Sequence, residues 1–117
     1  MNTPTFEPTP FVRQYLALKR EAPEGSILLV SMGEFFEMLF DDAIRGSSIC
    51  GAILTRRGGV PMCEIPRISI NTYLARFINA GLTVAIAETM EQPATRRGII
   101  RREIVRIVTP GRIEEVA

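Results

Sequence analysis

Residues 26–40 read SILLVSMGEFFEMLF, and the fold turns on how this stretch is divided. SILLVSM is too short for a helix of its own and almost wholly apolar, so it predicts a strand buried on both faces. Gly33 permits a sharp turn, and EFFEMLF then runs as a second strand. Side chains alternate along a strand. Phe36, Met38 and Phe40 therefore share one apolar face, while Phe35, Glu37 and Leu39 share the other. A buried unpaired carboxylate is costly, so the face carrying Glu37 is expected to be the open one. That leaves Phe35 outside, about 7 Å along the chain from a carboxylate. The competing reading has a helix covering Phe35 while Glu37 reaches water at the rim of the sheet.

Working outward, residues 1–8 form a Pro- and Thr-containing lead-in. Thr9-Pro10 reads as a helix cap followed by proline at the first helical position. Phe11, Val12, Tyr15 and Leu16 then fall at helical spacing, until Pro23 and Gly25 stop the helix. DDAIRGSSI (41–49) opens with two aspartates suited to a helix N-terminus. GAILT (51–55) is a candidate strand, RRGGVP (56–61) a loop and MCEI (62–65) a short strand. Ser69 is a candidate cap for a helix carrying Ile70, Tyr73, Leu74, Phe77 and Ile78, with Gly81 at its left-handed end. LTVAIAETM (82–90) predicts a strand, EQPATRRG (91–98) a polar loop, and EIVRIVT (103–109) a last strand closed by Pro110-Gly111. Alternating strands and helices give an α/β class, a single mixed β-sheet with helices packed on it. The expected division is a domain over 9–112 between the lead-in and a tail at 113–117.

The chain has 117 residues, enough for one core, with 46% apolar and 23% charged residues, ordinary values for a globular domain. No apolar run approaches the roughly 18–20 residues needed to span a bilayer, and the first twenty residues carry no secretory pattern. A cytoplasmic, nucleoid-associated location is the expectation. Cys50 and Cys63 are expected as reduced, buried thiols, with one disulfide as the alternative. Histidine is absent, which excludes histidine catalysis and imidazole-ligated metal. There is no P-loop pattern. Glu34, Glu37, Asp41 and Asp42 could be grouped as a nuclease's metal carboxylates, but Asp41 and Asp42 more simply start a helix. The expectation is a non-enzyme with no cofactor and no metal.

Charge is unevenly spread. Residues 1–50 carry 4 basic and 7 acidic side chains, and residues 51–117 carry 10 and 6. All but one of the 14 basic residues are arginine, which binds phosphate through a planar fork. From Ala94 to Arg112 six arginines face one acid, Glu103, a net of +5 that suits a polyanion such as nucleic acid. A solvated run pairing with acids such as Asp41 or Asp42 is the alternative. Arg56-Arg57-Gly58-Gly59 is a second, weaker basic turn.

Several stretches match one family in order. TPFVRQYLALK (9–19) looks like an opening helix, and MGEFFEMLFDDA (32–43) is similar to M-G-D-F-Y-E-L-F-Y-D-D-A. LTRRG (54–58) resembles L-T-K-R-G, and NTYLARFINAG (71–81) resembles N-Y-L-A-K-L-V-N-Q-G. VAIAETMEQPATRRG (84–98) resembles V-A-I-C-E-Q-I-G-D-P-A-T-x-x-G, and REIVRIVTPG (102–111) matches R-x-V-V-R-I-V-T-P-G. The chain thus resembles the N-terminal mismatch-recognition domain of the MutS family of DNA mismatch-repair proteins. The resemblance implies a non-catalytic module for mispaired double-stranded DNA. Phe35 would be a wedge in the minor groove that stacks on a mispaired base, and Glu37 would bond to that base. Arg56, Arg57, Arg96, Arg97, Arg101 and Arg102 are candidate phosphate contacts. MutS proteins also clamp DNA as dimers and carry an ATPase domain, so the remaining MutS domains or a full-length MutS-like protein are implied partners. Departures are Glu64-Ile65-Pro66-Arg67-Ile68-Ser69 in place of G-I-P-Y-H-A, a shorter 57–61 loop, and Ser31 where the family often has arginine. They motivate the alternative of a protein-interaction module.

Overall fold

The computed structural model describes residues 8–90 and 100–116. Helix α1, Pro10–Glu21, starts as its sequence predicts: the Thr9 hydroxyl accepts from the Val12 N–H at 3.2 Å, with proline next in line. It buries Val12, Tyr15 and Leu18, one stripe at helical spacing.

Strand β1, Ile27–Met32, is the centre of the sheet. Its alternate residues feed two cores. Ile27 and Leu29 point into one and Leu28 and Val30 into the other, all fully buried. A tight turn at Gly33, φ 60°, leads into β2, Phe35–Leu39, which returns antiparallel with Met32 opposite Phe35 and Val30 opposite Glu37. Helix α2, Phe40–Cys50, follows at once. Phe40 is therefore the first helical residue and not a strand position. Its φ of 55° is left-handed, which costs a non-glycine residue about 1–2 kcal/mol, offset by packing against the α1-side core.

Strands β3, Leu54–Arg57, and β4, Val60–Pro66, form a hairpin closed by Gly58 and Gly59, both at positive φ. The expected loop at 56–61 is thus mostly strand, and both arginines belong to β3. Helix α3, Ile70–Asn79, is entered through a 3-10 turn at Arg67–Ser69, and Ser69 makes no side-chain cap. Gly81 takes the expected left-handed conformation, φ 84°. Strand β5, Val84–Thr89, lies parallel to β1. Strand β6, Arg102–Thr109, pairs antiparallel with β5 and turns through Pro110-Gly111 into β7, Arg112–Glu115, a strand the sequence reading does not anticipate.

The result is one seven-stranded mixed sheet in the order β3-β4-β2-β1-β5-β6-β7. Helix α1 covers one face, and α2 and α3 cover the other. Cys50 and Cys63 are free, buried thiols in the second of these cores. Among the described residues, no helix is long and apolar enough to cross a membrane.

Candidate nucleic-acid interface

The two adjacent phenylalanines part company at the start of β2. Phe36 is 2% exposed and belongs to the α2–α3 core, whereas Phe35 is 38% exposed. Phe35 sits opposite Pro66 and lines an open groove of 460 Å³ with Ile53, Thr55, Glu64 and Tyr73. The ring therefore lies at the end of a short turn with water on one side.

One arginine holds that turn and a second holds the strand end that leads into it. From the β4 side, the Arg67 N–H donates to the Glu34 carbonyl at 2.8 Å and its Nε to the Gly33 carbonyl at 3.4 Å. The Arg67 guanidinium makes a bidentate pair with Glu88, both bonds 3.0 Å, and stands 4.6 Å from the Phe36 ring centre. From the β6 side, Arg102 donates to the Ser31 carbonyl at 2.7 Å and to Gln14 Oε1 at 2.8 Å, with its head 5.2 Å from the Phe11 ring. Ser31 is fixed as well, since its Oγ accepts from the Thr89 N–H at 2.8 Å. Sequence reasoning missed Arg67, which registered only as a departure in the 64–69 segment.

Glu37 overturns one expectation. Its face is not open: Glu37 is fully buried, and Leu39 beyond it is buried too. The physical reason is that β2 has neighbours on both sides and that Arg57 reaches back over it. Arg57 Nη2 lies 3.2 Å from Glu37 Oε2 and 3.6 Å from Glu64 Oε2. Glu64 is the direct cross-strand partner of Glu37. The Arg57 bond to Oε1 is long, 3.5 Å, and Oε2 has no hydrogen bond of acceptable geometry. Beside the carboxylate is a cavity of 160 Å³ walled by Phe11, Val12, Met32, Leu39 and Val60.

Burial raises the Glu37 carboxyl above its ordinary 4.5; Arg57 pulls it back down, and a hydrogen bond and charge from Glu64 push it up again. The sign of the linkage follows. A raised carboxyl adds stability that is complete below the ordinary value and is lost as pH rises through the folded-state value. Glu37→Gln is therefore expected to gain stability relative to wild type as pH is raised from about 4 to 7. Urea unfolding of both proteins at several pH values measures this, and a difference that does not change with pH contradicts it.

The other predicted contacts are dispersed. Arg56 is exposed on β3, with Nη1 on the Gly59 carbonyl at 3.0 Å. Arg101 is exposed at the foot of β6 and paired with Glu103. Arg96 and Arg97 lie outside the described residues. Asp42 turns inward to Lys19 at 2.9 Å and does not meet the 94–112 arginines among its described contacts. Among the described residues no group of three or more acidic or cysteine side chains could hold a metal ion.

A seven-stranded α/β domain presenting one phenylalanine at a braced hairpin turn is the architecture in hand, and comparison assigns it to a class. The profile described as MutS domain I matches residues 9–117, nearly the whole chain, and the chain belongs to that family. It is 43% identical over 114 residues to the DNA mismatch repair protein MutS of Fervidobacterium nodosum, covering 97% of this chain and 14% of that protein. It is 47% identical over 105 residues to the MutS of Petrotoga mobilis and 46% over 107 to that of Thermotoga maritima, covering 90% and 92% of this chain and 13% of each relative. The chain thus spans 12–14% of the length of the relatives it matches.

Proposed function

We propose that this domain binds mispaired double-stranded DNA without catalysis, with Phe35 as the wedge and Glu37 as the base contact. The observation that carries the reading is the exposed ring of Phe35 beside a turn pinned by Arg67, with the end of β1 that leads into it held by Arg102. A wedge must resist being pushed back as it unstacks a base step, which costs a few kcal/mol. A mispaired step is the cheapest to open, so preference follows from deformability. Arg56 and Arg101, both exposed, supply backbone grip together with Arg96 and Arg97, whereas Arg102 acts mainly by holding Ser31. Arg57 has a double task, treated below. In the cell this activity belongs in the cytoplasm at the nucleoid, alongside the other domains of a MutS protein.

The test is a titration of fluorescent duplexes with and without a G·T mispair at low salt. Wild type is expected to prefer the mispair, and Phe35→Ala to lose about tenfold of that preference, in line with about 1–3 kcal/mol for stacking one base. Equal affinity for the two duplexes, the same in wild type and variant, sinks the wedge.

One observation favours a second reading, a protein-interaction module. Ile68, in the segment that departs from the family, is 95% exposed. Co-elution with a purified full-length MutS protein, abolished by Ile68→Asp and unaffected by DNA, would support that reading. Separate elution would end it.

A further inference from the structure

We propose that Arg57 is an exchangeable counter-ion for Glu37: in the free protein it holds the Glu37 and Glu64 carboxylates together, and on DNA it leaves them for a backbone phosphate and frees Glu37 for a base. The inference rests on the DNA-binding reading above and names the residue that controls its base contact.

The geometry is lopsided. The Glu37 side chain is 1% exposed, whereas that of Arg57 is 57% exposed. One side of the guanidinium therefore already faces water. Its contacts to Glu37 and Glu64, 3.2 to 3.6 Å, are longer than the 2.7–2.9 Å of a good charge-assisted bond. A phosphate offers the same fork two well-aligned oxygens. Arg57 is also placed at the surface edge of the sheet. It ends an edge strand whose four residues are all exposed, and it precedes the two positive-φ glycines of the hairpin turn. The cavity beside Glu37 leaves room for its carboxylate to swing once the lid is gone.

The other groups facing Glu37 do not replace Arg57. Strand β4 offers Glu64, a like charge directly across the ladder, which is unfavourable on its own. Strand β6 offers Arg102, which feels the Glu37 charge but spends its donors on Ser31 and Gln14. Helix α1 and its cap offer only Thr9, Phe11 and Val12 at the cavity wall. When Arg57 departs, two carboxylates face each other in a site that tolerates one charge, and the pair takes up a proton.

Two measurements test this on the full chain. First, carboxyl NMR titration of Glu37 in the free protein: its midpoint is expected to rise in Arg57→Gln and to fall in Glu64→Gln, with Arg57→Lys near wild type. Native amide dispersion checks that each variant is folded, and the opposite directions separate pairing from damage. Second, the salt dependence of binding to mispaired duplex: Arg57→Gln is expected to lower the log–log slope by about one, the loss of a single phosphate contact. An unmoved Glu37 midpoint in both variants overturns the counter-ion. An unchanged slope in a chain that still prefers mispairs overturns the exchange and leaves the wedge reading intact. A wild-type chain with no affinity for any duplex overturns both.

Discussion

Asp42→Ala is expected to destabilise the domain by about 3–5 kcal/mol, measured as a lowered urea midpoint at neutral pH. Asp42 is the second residue of the acidic pair that opens α2, but it does not behave like a surface helix starter. Its side chain is 4% exposed and collects donors from two other elements. Lys19 of α1 reaches it at 2.9 and 3.0 Å, the Leu28 N–H of β1 at 2.9 Å, and the Tyr15 hydroxyl lies 3.1 Å away. Arg45 stands 3.8 Å off. Removing the carboxylate leaves the buried Leu28 N–H without its acceptor, itself worth about 1–3 kcal/mol, and strips Lys19 of its charge partner. Tyr15→Phe removes one neutral donor and leaves Asp42 its bonds to Lys19 and the Leu28 N–H, so it should cost only about 1 kcal/mol. Burial and the adjacent Asp42 charge hold the Tyr15 phenol well above its ordinary value, so it stays a donor throughout the neutral range. An Asp42→Ala protein as stable as Tyr15→Phe would show that the network is decorative.

This junction also shows what the sequence made legible. Local patterns carried local structure. Thr9-Pro10 marked the start of α1, the spacing from Ile70 to Ile78 marked α3, and Gly33 marked the turn before Phe35. Each needs information from only a few neighbouring residues. What failed was long-range. The strand expected over 51–55 instead runs Leu54–Arg57; Arg56 and Arg57, read as loop, are strand because β4 pairs with them through a two-glycine turn. The same holds for β7, four exposed residues that exist as a strand only on the edge of β6. Ser69 does stand at the N-cap position, but as the last residue of the 3-10 turn it makes no side-chain cap bond.

The surroundings of the candidate site were half legible for the same reason. Alternation put Phe35 and Glu37 on one face, and Phe35 is exposed. The burial of Glu37 depends on Arg57, twenty residues away, and on Glu64 across a strand pairing that the sequence does not state. Charge counting grouped Arg101 and Arg102 as equals. Their neighbours separate them: Arg101 is exposed beside Glu103, while Arg102 is built into the junction of α1, β1 and β6.

The adjacent phenylalanines give the sharpest stability contrast in the chain. Phe36→Ala is expected to cost about 3–5 kcal/mol in denaturant unfolding, while Phe35→Ala costs about 1 kcal/mol or less. Phe36 is buried among Met38, Ile65 and Phe77, and its ring also carries the Arg67 guanidinium 4.6 Å away. Truncation would open a cavity in the α2–α3 core and loosen the arginine that ties the β1–β2 turn to Glu88. Phe35, half in water beside Pro66, leaves no such void. The two variants therefore separate scaffold from tool. Phe35→Ala should stay folded and lose mispair preference, so its binding defect reports on the ring itself. Phe36→Ala should weaken binding only as far as it unfolds the domain or frees the turn. If Phe35→Ala instead proves as destabilising as Phe36→Ala, the ring is part of the core, and an exposed wedge is the wrong description of it.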